Sequence, residues 1–154
     1  MQKRGETIAT QLAAGSTKSL LTYNFVTLEQ DAAQTAQGDV LYAIIHDRDG
    51  RVAAYSGRSE KQGLVLPDPV SQQAIQARAT LIQQVPHTRR TVEHYDIAVP
   101  VFVPGSSEKW GTVRVGLSLR EMHMEIAQTR WRVLSLGIVG VAVRMVAALV
   151  TLAL

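Results

Sequence analysis

The chain has 154 residues, of which 46% are hydrophobic and 19% are charged, a composition typical of one folded domain with a short attachment. Its formal net charge of +3 comes from basic residues that are spread along the chain, without a basic stripe, so we expect no nucleic-acid partner. The absence of cysteine excludes disulfides and thiolate metal sites.

Residues 5 to 36 predict a long amphipathic helix. The apolar residues that would form one side of it are Ile8, Leu12, Leu20, Leu21, Phe25 and Leu28. Gly15 and Ser16 interrupt the pattern, which predicts either a kink or two separate pieces. Gly38 is the expected C-terminal stop. We therefore assign residues 1 to 38 to an N-terminal helical segment.

The hydrophobic period then changes from that of a helix to that of a strand. β-rich runs flank Asp47-Arg48-Asp49-Gly50, which predicts a hairpin that pairs residues 40 to 46 with residues 51 to 56. His46, Asp47 and Asp49 can be drawn as a metal site, but acidic residues next to Gly50 are what a tight turn needs for its own hydrogen bonds. We therefore expect a turn, with no metal and no cofactor.

Residues 57 to 69 predict a polar loop that ends in a helix start. Asp68 can cap a short helix that has Pro69 at its first position, and the helical pattern runs through residues 70 to 81. The stretch from residue 83 to residue 90 is predicted to be loop.

Two long strands are predicted next, at residues 91 to 103 and 110 to 119, joined by residues 104 to 109. Alternation in the second strand separates a core face from a mixed face. The core face carries Val113, Val115, Leu117 and Leu119, and the mixed face carries Trp110, Thr112, Arg114, Gly116 and Ser118.

The last segment predicts a helix that leaves the domain and enters a membrane. Ser118 and Glu121 have capping-box spacing, and no proline follows before the apolar stretch from residue 133 to residue 154. Arg144 in that stretch costs roughly 2.5 to 3.5 kcal/mol, which about 4 to 7 kcal/mol from its aliphatic residues outweighs. Arg144 is either a functional intramembrane charge or a tolerated one.

The element order predicts an α+β fold, with a mainly antiparallel sheet of four or five strands. The expected organisation has three parts. These are a helical segment at 1–38, a sheet domain at 39–119, and an exit helix at 120–154 that continues into a transmembrane helix over about 133–154.

Three stretches carry a family resemblance: the D-x-x-G-x-V hairpin from Asp47, the D-I-A-V-P-V strand from Asp96, and W-G-x-V-R-V-G-L-S from Trp110. Together they resemble the extracytoplasmic PAS-like sensor domains, of the Cache or PDC type, of bacterial transmembrane receptors. Such receptors are HAMP-linked sensor histidine kinases, diguanylate cyclases or chemoreceptors. The resemblance covers about residues 5 to 150.

The resemblance implies a long N-terminal helix, a central antiparallel sheet with a small-ligand pocket on one face, and a C-terminal membrane helix. It also implies a homodimer, a preceding membrane helix, a following output module, and an inner-membrane address with the sensor domain in the periplasm. Arg120, Arg130 and Arg132 would instead favour a cytoplasmic domain by the positive-inside tendency. The resemblance favours the reading in which the chain is a fragment whose upstream helix sets the topology.

Candidate ligand-binding residues follow from the predicted faces of the strands. Tyr42 and His46 share one face of the first strand, and Arg114, beside Trp110, can hold a carboxylate with two hydrogen bonds. Tyr55 and His94, with the neighbouring Tyr95, are further candidates. The alternative is that Arg114 pairs with an acidic residue of the domain and that the tyrosines pack against helices.

These patterns favour a sensory input domain that binds a small molecule, such as a carboxylate or an amino acid, and passes a helix displacement through the membrane. The alternative function is a membrane-anchored interaction domain that docks a protein partner on the same sheet and has no small ligand. We expect no enzymatic activity, because no nucleophile elbow, phosphate loop or metalloprotease motif occurs.

Overall fold

A computed structural model describes residues 2–89 and 91–119 of the chain. The helices in this part are α1 (Gln2–Leu21), α2 (Phe25–Thr35) and α3 (Pro69–Gln76), and a short 3-10 helix lies at Ser59–Lys61. The strands are β1 (Val40–Asp47), β2 (Val52–Tyr55), β3 (Leu81–Val85), β4 (His94–Phe102) and β5 (Lys109–Ser118).

The five strands form one antiparallel sheet in the order β2-β1-β5-β4-β3. β5 is the central strand, and its residues 111–118 are all buried. The predicted α+β fold with a central antiparallel sheet is confirmed. The mixed face of β5 is as inaccessible as its core face, because both faces of this strand are covered.

α1 and α2 cover one face of the sheet. Ala9, Leu12 and Leu28 are buried there in one apolar core with Val113 and Val115. This core joins the helical segment to the sheet. Gly5 allows α1 to approach closely, since a Cβ at that position would overlap the buried Ile97 side chain.

The break between the two N-terminal helices falls at residues 22–24, and not at Gly15 and Ser16 as the sequence pattern suggested. Gly15 lies inside α1 with open space around it. Tyr23 instead takes a left-handed conformation with φ 54°, and the Asn24 side chain accepts a hydrogen bond from the Thr27 amide. The Asn24 N-cap therefore starts α2 at a position that has no glycine in the sequence.

The prediction was also wrong between residues 77 and 85. α3 ends at Gln76, and its end is fixed by Lys109, whose ammonium donates to the Ile75 and Ala77 carbonyls at 2.6 Å each. Residues 81–85, predicted as helix end and loop, form the edge strand β3, which pairs with β4. Two adjacent glutamines obscure its alternation in the sequence.

The predicted exit helix, the transmembrane helix at 133–154 and Arg144 lie outside the described residues. Among the residues that are described, no helix is long and apolar enough to cross a membrane.

Candidate functional site

A cavity of about 310 Å³ lies on the sheet face opposite α1 and α2, beneath α3 and the loop that precedes it. Its polar lining residues are Tyr42, Tyr55, Asp68, Ser71, Thr91, His94 and Arg114, and its apolar ones are Ile44, Leu66, Val70 and Val85. This combination of an apolar wall with a few converging polar groups is typical of small-molecule sites.

The strand register explains why these side chains meet. Ile44 of β1 lies opposite Tyr55 of β2 and opposite Arg114 of β5, while Val85 of β3 lies opposite His94 of β4. Directly paired residues of an antiparallel sheet project from the same face. Contributions from all five strands therefore reach one side of the sheet.

A buried ion pair forms the floor of this region. The Arg114 guanidinium contacts the Asp96 carboxylate through Nε at 3.2 Å and through Nη2 at 2.8 Å, and both side chains are almost inaccessible. The Tyr42 hydroxyl donates to the same carboxylate at 2.5 Å. Burial lowers the pKa of Arg114, but the Asp96 carboxylate outweighs this effect and holds that pKa above its ordinary value.

The ion pair continues into α3 through a chain of hydrogen bonds. Arg114 Nη1 donates to Ser71 Oγ at 2.6 Å, and Ser71 donates to the Asp68 carboxylate from its hydroxyl at 2.6 Å and from its amide at 2.9 Å. Burial raises the pKa of Asp68, but the two Ser71 hydrogen bonds outweigh it and lower that pKa below its usual range. Asp68 is therefore negative at neutral pH.

Tyr42 and His94 form the second polar cluster of the cavity. Their rings meet edge to face with centroids 5.5 Å apart, and Tyr42 Oη lies 3.1 Å from His94 Nε2. Burial, followed by the Asp96 charge, raises the pKa of Tyr42, so its hydroxyl stays protonated. The ring rests directly on Gly116, where a Cβ would overlap it.

Four of the six residues proposed from the sequence line this cavity: Tyr42, Tyr55, His94 and Arg114. Arg114 also pairs with an acidic residue of the domain, Asp96, which was the alternative interpretation of this arginine. Ligand binding by these residues stays a prediction.

His46 and Trp110, the other two proposed residues, do not line the cavity. His46 is fully buried, with Nδ1 3.2 Å from the Gly50 carbonyl oxygen, and burial lowers the pKa of its imidazole to about 4. Trp110 lies under the Arg48 guanidinium, 4.7 Å from its ring centroid.

Sequence reasoning did not include Asp96, Ser71, Asp68 and Gly116 in the site. Asp96 carried a usable signal, because a carboxylate inside an apolar strand needs a buried partner. Asp68 was predicted only as a helix cap, a role that its Ser71 amide contact confirms. Ser71 carried no signal, since only the packing of α3 against the sheet brings it to Arg114.

A second hollow, of about 390 Å³, lies between α1, α2 and the start of β1. The exposed Arg4 and the buried Asp39 form a 2.8 Å ion pair at this place. Its lining mixes apolar residues with three glutamines and a threonine, and its buried carboxylate, Asp39, is already paired with Arg4. The first cavity is the better candidate site.

Three solved structures with a similar fold are sensor domains. The Escherichia coli DcuS sensor domain has a TM-score of 0.61 at 12% identity, covering 81% of this chain and 96% of that domain. The sensory domain of the Campylobacter jejuni chemoreceptor Tlp3, solved with isoleucine bound, has a TM-score of 0.59 at 11% identity, covering 78% of this chain. The sensor domain of the Vibrio cholerae histidine kinase DctB has a TM-score of 0.52 at 15% identity, covering 72% of this chain.

The chain spans only 53% of the Tlp3 domain and 44% of the DctB domain. Among curated proteins, none matches this sequence. The sequence does match the family described as single Cache domain 3, over residues 2–130. This match covers most of the chain, and it confirms the resemblance to Cache sensor domains. The chain belongs to the single Cache domain 3 family.

Proposed function

We propose that this chain is the sensory input domain of a membrane-bound receptor, and that it binds a small extracytoplasmic molecule in the cavity beneath α3. The observation that carries the proposal is the cavity itself, in which an apolar wall meets Tyr55, Asp68, His94 and Arg114. The ligand classes proposed from the sequence, carboxylates and amino acids, are the first to test.

Signal transmission is proposed to run along β5. Arg114 contacts the cavity, and the end of the same strand is tied to both neighbouring strands: the Ser118 amide donates to the Asp39 carbonyl and the Leu119 amide to the Glu93 carbonyl. A ligand that prefers one position of β5 would shift the chain that leaves the sheet after Leu119. Such a shift requires that the ligand has different affinities for the two states.

The receptor context belongs to the same proposal. We infer a periplasmic position at the inner membrane, a membrane helix after the domain, a homodimer and a separate output module. The family membership and the sensor domains with the same fold support this context.

A thermal-shift screen of the full chain in detergent micelles, with carboxylates, amino acids and other small metabolites, tests the proposal. At a hundredfold excess over Kd, a ligand should raise Tm by about 5 to 10 °C for a domain of this size. Val85→Trp should remove the shift, because Val85 lines the cavity from the edge strand β3.

Gln84→Trp is the matched control, since it places the same bulk on the opposite, exposed side of the same strand. It should keep the shift. The Tm of each variant without ligand shows that it is folded. If no compound in the screen raises Tm, the result would contradict the sensor proposal. It would favour the alternative, a membrane-anchored interaction domain without a small ligand.

A further inference from the structure

We propose that the ligand of this cavity carries a protonated amine, which Asp68 binds at the cavity wall, and that a carboxylate group alone is not sufficient for binding. This inference rests on the proposed sensor function and names the class of ligand for the same site. It follows from which charges of the cavity lining already have partners and which do not.

Arg114 is not free to hold a ligand carboxylate in a two-pronged contact. Its Nε and Nη2 groups are held by Asp96 and its Nη1 group by Ser71. A rotation toward a ligand would leave Asp96, which has no exposed surface, as an unpaired buried charge. Three of the five N–H donors of Arg114 are therefore used within the protein, and its charge is balanced by Asp96.

The Asp68 carboxylate also offsets the positive potential at the N-terminus of α3. Helix N-termini attract anions through unpaired amides and the helix dipole. Here the Asp68 carboxylate occupies that position, because it accepts the Ser71 amide at 2.9 Å. A ligand anion would have to compete with a charge that is covalently part of the chain.

The carboxylates and the guanidinium at the cavity carry no excess of positive charge. Asp68 and Arg114 of the lining contribute one charge of each sign, and the buried Asp96 beneath the lining, which pairs with Arg114, adds a second negative charge. Arg58 lies outside the lining, with its guanidinium 5.6 Å from the Tyr55 ring centroid, and solvent screens its charge as it does that of Asp68, because both residues are exposed. Such a lining disfavours dicarboxylates.

Asp68 is the charged group of the lining that has no partner of opposite charge in direct contact and that retains binding capacity. Each of its carboxylate oxygens accepts one hydrogen bond from Ser71, which leaves acceptor positions open. The Tyr55 hydroxyl makes no hydrogen bond to the described residues, and burial raises the pKa of Tyr55 so that it stays neutral. An ammonium group fits these acceptors, and Ile44, Leu66 and Val70 provide an apolar wall for its carbon chain.

Calorimetric titration of the full chain in detergent micelles, at about pH 8 where an ordinary histidine is mostly neutral, tests the inference. The probes are branched and linear alkylamines of about three to six carbons, carboxylates with the same carbon skeletons, valine and succinate. We expect binding of alkylamines and of valine, and none of the simple carboxylates or succinate. A charge-assisted contact of this kind corresponds to about a ten- to hundredfold change in Kd.

Asp68→Asn should weaken amine binding by that factor, while an Asn at this position can still cap α3. Asp49→Asn is the matched control: it removes the same charge from an exposed turn, where Asn before Gly50 is well tolerated, and it should leave Kd unchanged.

Each other outcome overturns the inference. Binding of a carboxylate that Val85→Trp abolishes would refute the amine requirement and leave the proposed sensor function standing. Amine binding that survives Asp68→Asn would refute the role of Asp68. If no probe binds and no compound in the metabolite screen raises Tm, both the sensor function and this inference are refuted.

Discussion

Asp96 and Arg114 place a full ion pair at the centre of the sheet, where both side chains are almost without exposed surface. A buried pair of this kind is costly to desolvate and becomes strongly destabilising when one partner is removed. Two further hydrogen bonds offset that cost here: the Tyr42 hydroxyl donates to Asp96, and Arg114 Nη1 donates to Ser71. The pair fixes the position of Arg114 at the cavity more firmly than a surface contact would.

A double-mutant cycle tests this role of the ion pair. Arg114→Met should destabilise the protein by about 3 to 5 kcal/mol, because it leaves the buried Asp96 carboxylate without a partner of opposite charge. Adding Asp96→Asn removes that charge and keeps an acceptor for the Tyr42 hydroxyl, so the double variant should be more stable than Arg114→Met alone. Urea denaturation measures the free energy of unfolding of the two single variants and of the double variant. If the two substitutions simply add, the pair is not coupled as described.

His46 gives the protein a defined dependence on pH. Burial lowers the pKa of its imidazole to about 4, whereas an unfolded histidine has a pKa near 6.5. Below pH 6.5 the unfolded chain therefore binds a proton that the folded chain rejects, and stability should fall as the pH is lowered from about 6.5 to 4. The full contribution is about 3 kcal/mol.

Urea denaturation at several pH values measures the His46 contribution. His46→Gln should flatten the profile in that window, since the amide has no proton to gain. His87→Gln, which changes an exposed loop histidine, is the control and should keep the slope. An unchanged profile in His46→Gln would show that this imidazole is not held neutral by burial.

At this scale the sequence predicts the face on which a residue lies better than it predicts its partner. Alternation placed Arg114 on the face that lines the cavity. It could not identify Asp96 as the partner, because that contact depends on the register between β4 and β5. The same alternation put His46 on the correct face, but His46 is fully buried beside the Gly50 carbonyl and does not line the cavity.

The helix α1 depends on one glycine for its approach to the sheet and not on another. Gly5→Ala should cost about 1 to 3 kcal/mol, because the added Cβ overlaps the Ile97 side chain in a packed core. Gly15→Ala adds the same methyl group to an exposed position with open space and should stabilise the helix by about 0.5 to 1 kcal/mol. Chemical denaturation of both variants checks the opposite signs, and two equal effects would contradict this packing.

The helix α3 is fastened to β5 at both ends, through Arg114 and Ser71 at its start and through Lys109 at its end. Lys109→Met keeps the apolar stem but removes two charge-assisted hydrogen bonds, so amide exchange in α3 should become about ten- to hundredfold faster. Lys18→Met, at an exposed position in the last turn of α1, is the control and should leave α3 unchanged. Unaltered exchange in Lys109→Met would show that this contact does not hold the helix.

Elements with local signals were predicted well, and elements defined by distant contacts were not. The Asp68 and Pro69 start of α3 and the turn at Asp47 are local, and Asp47 does accept hydrogen bonds from the amides of Asp49 and Arg51. The strand β3 is only five residues long and half polar, and it is a strand because β4 provides its hydrogen bonds. No local propensity identifies such an edge strand.

At the scale of the described residues, the sheet separates a face packed against α1 and α2 from a face that carries the candidate cavity. α1 and α2 bury an apolar core on one side, while α3 and its loop lie over a cavity with an apolar wall and several polar groups on the other. β5 belongs to both, since its alternate residues Val113 and Arg114 enter the core and the cavity respectively. The proposed transmission along β5 therefore predicts that a change at the cavity reaches the end of the sheet while the core stays packed.

The overall architecture was predictable because composition, alternation and turn chemistry agree along the chain. The charge balance of the cavity was not, since it depends on which side chains pair in three dimensions. Arg114 read alone favours a carboxylate ligand, whereas Arg114 held by Asp96, with Asp68 nearby, favours an amine.

Hydrogen–deuterium exchange of the full chain, with and without a ligand identified in the screen, tests the central claim most directly. We expect protection in the segments that line the cavity, residues 64–72 and 91–96, and at the end of β5, residues 114–119. Val85→Trp should abolish it. Protection confined to α1 and α2, or none in these three segments at a saturating ligand concentration, would contradict a sensor that binds its ligand beneath α3 and transmits through β5.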